Sequence, residues 1–99
     1  MRSSDLFLGL PWNMNYAILV YMIGHLTDLK PGKLVFSLAD THIYVNAKEQ
    51  VLEQLNRTIR KAPRLEITRK HLSIDEFTVD SFKLCDYYPH PRISAKMAI

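Results

Sequence analysis

Few side chains in this sequence carry chemistry at a spacing that fixes how they act. His42 and Tyr44 stand two residues apart in an alternating stretch, so the strand period puts both on one face. Cys85 is the single thiol, but it lies in Leu84-Cys85-Asp86-Tyr87, where a neighbouring carboxylate disfavours the thiolate; it reads as a structural thiol. One cysteine forms no internal disulfide, so nothing points to an oxidising compartment and a cytoplasmic location is expected. His25, His42, His71 and His90 are scattered, without the short spacings of a metal site, so no metal is expected. Gly9, Gly24 and Gly32 are too far apart for a phosphate-cradling loop. Arg57, Arg60, Lys61, Arg64, Arg69 and Lys70 face only Glu66 between residues 57 and 70. Such a cluster can engage RNA or phosphate, but no aromatic residues interleave it for base stacking, so a solvated face is the expected reading.

The elements that position these groups follow from periodicity. At 99 residues, 47% apolar and 23% charged, the chain fits one small packed domain rather than a disordered segment. The net charge of +3 favours anionic partners. Residues 6–11 form a short apolar stretch ended by Gly9 and Pro11, which predicts a strand running into a turn. A helix follows from Asn13, capped by Asn13 or Asn15 and stopped between Asp28 and Gly32. It is apolar almost all round and is expected inside a larger core. Its longest apolar run, residues 16–23, is far short of the roughly 20 residues that span a bilayer, so no membrane association is expected.

Residues 33–45 are β-rich. Residues 46–60 place Val51, Leu52, Leu55 and Ile59 on one stripe, an amphipathic covering helix. Leu65 and Ile67 alternate as a strand, Ser73 to Glu76 resembles a short turn, and residues 77–84 predict another strand with a phase slip near Asp80. Residues 86–99 have no period. The predicted class is α/β (α+β), with a mixed sheet, a buried central helix and a covering amphipathic helix.

Three segments together resemble the C-terminal part of thymidylate synthase: residues 2–13 (Arg2-Ser3-Ser4-Asp5 through Trp12-Asn13), Asp40-Thr41-His42-Ile43-Tyr44, and Tyr87-Tyr88-Pro89-His90-Pro91 with the ending Met97-Ala98-Ile99. The likeness covers nearly the whole chain. It implies a dUMP site made by Arg2, Ser3, Ser4, Asp5, Asn13, His42, Ile43 and Tyr44. Arg2 and Ser3 would hold the phosphate by charge-assisted and hydroxyl bonds. Asn13 would read uracil, since a carboxamide matches the N3 donor and O4 acceptor that cytosine presents inverted. His42 and Tyr44 would bind the deoxyribose hydroxyl. The resemblance also implies 5,10-methylenetetrahydrofolate as co-substrate, contacted by Asp5, Gly9, Ala98 and Ile99, with the last two closing over the ligands. A homodimer is expected for the family.

The family's cysteine nucleophile lies in a Pro-Cys-His motif upstream of the Arg-Ser pair, and this sequence contains no such motif. The whole chain, residues 1–99, is therefore expected to be a C-terminal segment, inactive without an N-terminal piece. Two residues separate Asn13 from Tyr16 where the family usually has three. Ala39 stands where glycine usually precedes Asp-Thr-His, which matters if that position needs positive φ, and Arg92 where glycine usually follows Pro-His-Pro. Two other readings stand beside this one: a dUMP hydroxymethylase of the same superfamily, in which water replaces the hydride, and a non-catalytic RNA- or protein-binding module using residues 57–70.

Overall fold

The computed structural model describes residues 5–96. Two helices and one small sheet carry the regular structure: α1 (Leu10–Thr27), α2 (Lys48–Leu55), β1 (Arg64–Ile67) and β2 (Phe82–Cys85). This is the expected mixed α and β class. The described residues divide between two compact units, one drawn from segments 5–16, 35–59 and 90–96 and the other from 17–34 and 60–89. None of the described helices is long and apolar enough to cross a membrane.

In the first unit, the predicted strand over residues 6–11 is instead a turn leading into α1. The Oδ1 of Asp5 accepts from the amides of Phe7 (3.0 Å) and Leu8 (3.1 Å), and the Gly9 amide donates to the Asp5 carbonyl (3.0 Å). Three donors gathered on one residue curl the chain before a ladder can form. Pro11 then sits in the first turn of the helix, where its missing N–H removes no hydrogen bond and its fixed φ suits the helix. The helix therefore begins at Leu10, three residues before the predicted start, and Asn13 and Asn15 lie within it rather than capping it.

Residues 33–45 form no strand. Their one pairing is an isolated parallel bridge between Asp5 and His42, marked by the Leu6 amide donating to the His42 carbonyl at 2.9 Å. The β-rich composition gives this stretch extended character, but a strand requires a ladder, and one bridge is all the described residues supply. A 3-10 turn over Val45–Ala47 leads into α2. That helix ends at Leu55, short of the predicted residue 60, just before the β-branched pair Thr58 and Ile59, which lower helix propensity. Ile59 is 96% exposed and lies off the stripe assigned to it.

The second unit holds the sheet. β1 and β2 pair antiparallel in the register Arg64 with Cys85, Leu65 with Leu84, Glu66 with Lys83 and Ile67 with Phe82. Leu65 and Ile67 are half-buried and their neighbours exposed, as the alternation predicts. Ser73 opens a 3-10 turn over Ile74–Glu76, accepting from the Asp75 amide at 3.3 Å. The predicted strand over residues 77–84 is shorter. A 3-10 turn at Val79–Ser81 occupies the place of the phase slip, and only residues 82–85 pair. Ser81 is fully buried at that turn: its Oγ accepts from the Thr78 amide (2.9 Å) and meets His71 Nε2 (2.9 Å), while its carbonyl accepts from the Thr68 amide (2.8 Å). Rings pack around it, His71 stacking on Phe77 at 4.1 Å and Phe77 on Phe82 at 5.6 Å.

α1 ends on a left-handed residue. Asp28 has φ 55°, and the Leu29 amide reaches back to the Gly24 carbonyl at 3.0 Å, the six-residue bond of a Schellman stop. No residue of α1 is fully buried within the described chain; Trp12, Met14, Tyr16 and Ile23 stay about half exposed.

Candidate functional site

The bridge between Asp5 and His42 ties the turn before α1 to the segment that carries the histidine. A left-handed residue sets the ring's aim: Asp40 has φ 53°, and its carbonyl lies 2.6 Å from His42 Nδ1. A carbonyl only accepts, so Nδ1 carries the proton and, in the neutral ring, Nε2 is left as an acceptor. That Nε2 is buried and has no hydrogen-bond partner among the described residues. Tyr44 packs edge-on against the imidazole at 5.0 Å, so the two side chains meet although the stretch forms no strand. The pair presents an acceptor nitrogen beside a phenol, which suits a ligand hydroxyl that both donates and accepts.

Asn13 sits in the first turn of α1, and its Oδ1 is also buried without a partner among the described residues. Because Asn13 lies inside the helix, its carboxamide is not consumed by capping. Buried polar atoms are normally satisfied, and among the described residues Gln50 Oε1 is the third that is not. Asp5 is 4% exposed, and both of its amide bonds fall on Oδ1. Gly9 is buried, its amide held by Asp5. Ile43 and Tyr44 are partly exposed. Arg2, Ser3, Ser4, Ala98 and Ile99 lie outside the described residues.

Asp40 is the site residue that sequence reasoning passed over. Its signal was an acid in an Ala-Asp-Thr-His run, since Asp and Asn tolerate left-handed backbone better than other non-glycine residues. Ala39, where the resemblance raised the question of positive φ, is not among the left-handed residues; the neighbouring Asp40 is.

Cys85 is half-buried in β2, its Sγ 3.9 Å from the Lys83 carbonyl. The basic run is largely engaged within the chain. Arg57 donates to the Pro91 carbonyl (2.7 Å) and pairs with Glu53; Arg60 donates to the carbonyls of Tyr88 (3.2 Å) and Pro89 (2.9 Å). Lys61 and Arg64 both pair with Asp86, and Arg64 also with Glu66. The hydrogen bond it donates to Asp86, reinforced by the charge of Glu66, holds the Arg64 guanidinium above its ordinary pKa. A cavity of about 500 Å³ in the second unit is lined by Tyr21, Gly24, His25, Asp28 and Leu65 among others, and none of the predicted site residues belongs to it.

A family model described as thymidylate synthase matches residues 1–99. Curated relatives agree over 99% of this chain. The thymidylate synthase of Human herpesvirus 8 type P is 48% identical over 99 residues, 29% of its own length. That of Homo sapiens is 46% identical, with 32% of its length covered, and that of Mycoplasma mobile 42%, with 34% covered. The chain thus spans about a third of the length of the curated relatives it matches.

Proposed function

The chain belongs to the thymidylate synthase family, and from that premise we propose that it contributes the nucleotide-binding part of an enzyme converting dUMP to dTMP with methylenetetrahydrofolate. The observation that carries this reading is the pair of buried acceptors without a partner among the described residues, His42 Nε2 and Asn13 Oδ1, on the two residues that resemble the family's sugar and base readers.

In this reading the deoxyribose 3′-hydroxyl donates to His42 Nε2 and accepts from the Tyr44 phenol. The Asn13 Oδ1 accepts from uracil N3–H while its amide donates to O4, a pattern that cytosine inverts. Arg2 and Ser3, with Ser4 beside them, hold the phosphate. Asp5 keeps its Oδ1 for the Phe7 and Leu8 amides, so a pterin contact falls to Oδ2, with Gly9 giving close backbone approach and the role of excluding water assigned to Ala98 and Ile99.

The folate supplies the one-carbon unit and then a hydride, leaving as dihydrofolate. The thiolate that adds to C6, moves the C5=C6 electrons to C5 and later departs is assigned to a Pro-Cys-His segment outside residues 1–99, not to Cys85. Cytoplasmic location and a homodimer belong to the same proposal.

Incubating the chain with a complementing polypeptide that carries Pro-Cys-His, together with dUMP and methylenetetrahydrofolate, tests it. Thymidylate and dihydrofolate are expected. Hydroxymethyl-dUMP with tetrahydrofolate would mean the hydroxymethylase reading, and no product would reject both.

A further inference from the structure

Residues 86–96, which follow β2, have no regular structure, yet they are held in place by side chains more than 25 residues away in sequence. Its composition explains how. Pro89 and Pro91 have no backbone N–H, so around them the chain offers carbonyl acceptors and little else. A guanidinium is the complementary group, all donor and no acceptor. In the first unit, Arg57 Nη1 donates to the Pro91 carbonyl at 2.7 Å, and its Nη2 is steadied by Glu53 one turn back on α2 at 3.4 Å. The tail answers in kind: His90 Nε2 donates to the Thr58 carbonyl at 2.8 Å. Gln50, also on α2, reaches the Ser94 carbonyl at 3.5 Å. The Arg57 side chain is 22% exposed, so its bond to Pro91 is partly shielded from water.

We propose that Arg57 is a positioning residue. Acting through the Pro91 carbonyl, it clasps the segment from His90 to Ser94 to the shoulder of α2 and so fixes the path along which the chain reaches its C-terminal residues. Resting on the function proposed above, this makes Arg57 a determinant of folate rather than nucleotide binding, although it touches neither ligand.

Trypsin reads the clasp directly, because Arg92 lies inside it. In Arg57→Ala, release of the peptide after Arg92 is expected to accelerate about tenfold, the effect of losing one charge-assisted bond. Cleavage after Lys70, in the other unit, keeps its wild-type rate, and Arg57→Lys, which retains a donor, recovers part of the protection. In the complemented enzyme, Arg57→Ala raises the KM for methylenetetrahydrofolate and leaves the dUMP Kd unchanged. An unchanged rate after Arg92, or equal acceleration after Arg92 and Lys70, would overturn the clasp. Unchanged folate KM, or a parallel loss of dUMP affinity, would overturn the positioning role. A wild-type mixture that turned nothing over would remove the enzymatic reading instead, with the cleavage ratio still deciding the clasp.

Discussion

The protonation pattern of one imidazole carries a precise chemical consequence. With Nδ1 committed to the Asp40 carbonyl, the neutral His42 ring leaves an Nε2 that can only accept, and in the proposed function it is this atom that meets the nucleotide. His42→Ala should therefore weaken dUMP binding about tenfold, the worth of one ordinary hydrogen bond, and leave the affinity for the 3′-deoxy analogue of dUMP unchanged. Titration calorimetry with both nucleotides checks this; equal losses would mean that His42 acts on something other than the hydroxyl. Asp5 makes a second case. Removing its carboxylate strands the Phe7 and Leu8 amides, so Asp5→Ala should cost about 1–2 kcal/mol in urea unfolding, while Asp5→Asn keeps an acceptor and most of the stability. Loss of folate affinity without loss of stability would separate a ligand role from the turn role. At this scale Asn13 was nominated by the family resemblance alone, whereas the contact between His42 and Tyr44 was legible from their two-residue spacing. The turn role of Asp5 and the aim of His42 were not, since both depend on backbone dihedrals that neighbouring residue types only bias.

α1 closes on a left-handed aspartate, and its stop fixes the sign of two substitutions. At Gly24 an alanine Cβ would lie 2.7 Å from the Leu29 carbonyl oxygen, a backbone atom that cannot move aside without opening the stop. Gly24→Ala should then destabilise, although alanine ordinarily favours a helix over glycine by about 1 kcal/mol. Asp28→Gly relieves the left-handed strain and should stabilise by about 0.5–1 kcal/mol. Opposite shifts in melting temperature are the expected result, and shifts of the same sign would refute the stop as drawn. The end of α1 was readable in advance from Asp28, Pro31 and Gly32, and β1 from the alternation of Leu65 and Ile67. The sequence places the start of α1 too late because Pro11 reads as a terminator, whereas it sits in an opening turn. The strand expected over residues 33–45 failed for a different reason: propensity describes one chain segment, while a strand also needs a neighbour. The phase slip near Asp80 was a true signal, its physical form being a 3-10 turn built around the buried Ser81 hydroxyl.

Across the whole chain, the +3 charge invites an anionic partner, but four cations of the basic run, Arg57, Arg60, Lys61 and Arg64, are already engaged by carbonyls and acids of the same molecule. Binding to single-stranded RNA should accordingly be weak and show little of the steep salt dependence that follows multiple phosphate contacts. A filter-binding titration across salt concentrations tests this, and a steep slope abolished by neutralising residues 57–70 would favour the binding-module reading. Fold class and family were legible at this scale because three motifs stand in order along one chain; the use made of each cation was not, because pairing depends on where the fold brings the carbonyls. The outer face of α1 also makes the protein its own optical probe. Trp12, the single tryptophan, is 49% exposed one position before Asn13. Its emission should shift to shorter wavelength whenever a polypeptide or nucleotide screens that end of the helix from water, so assembly can be followed in real time without a label.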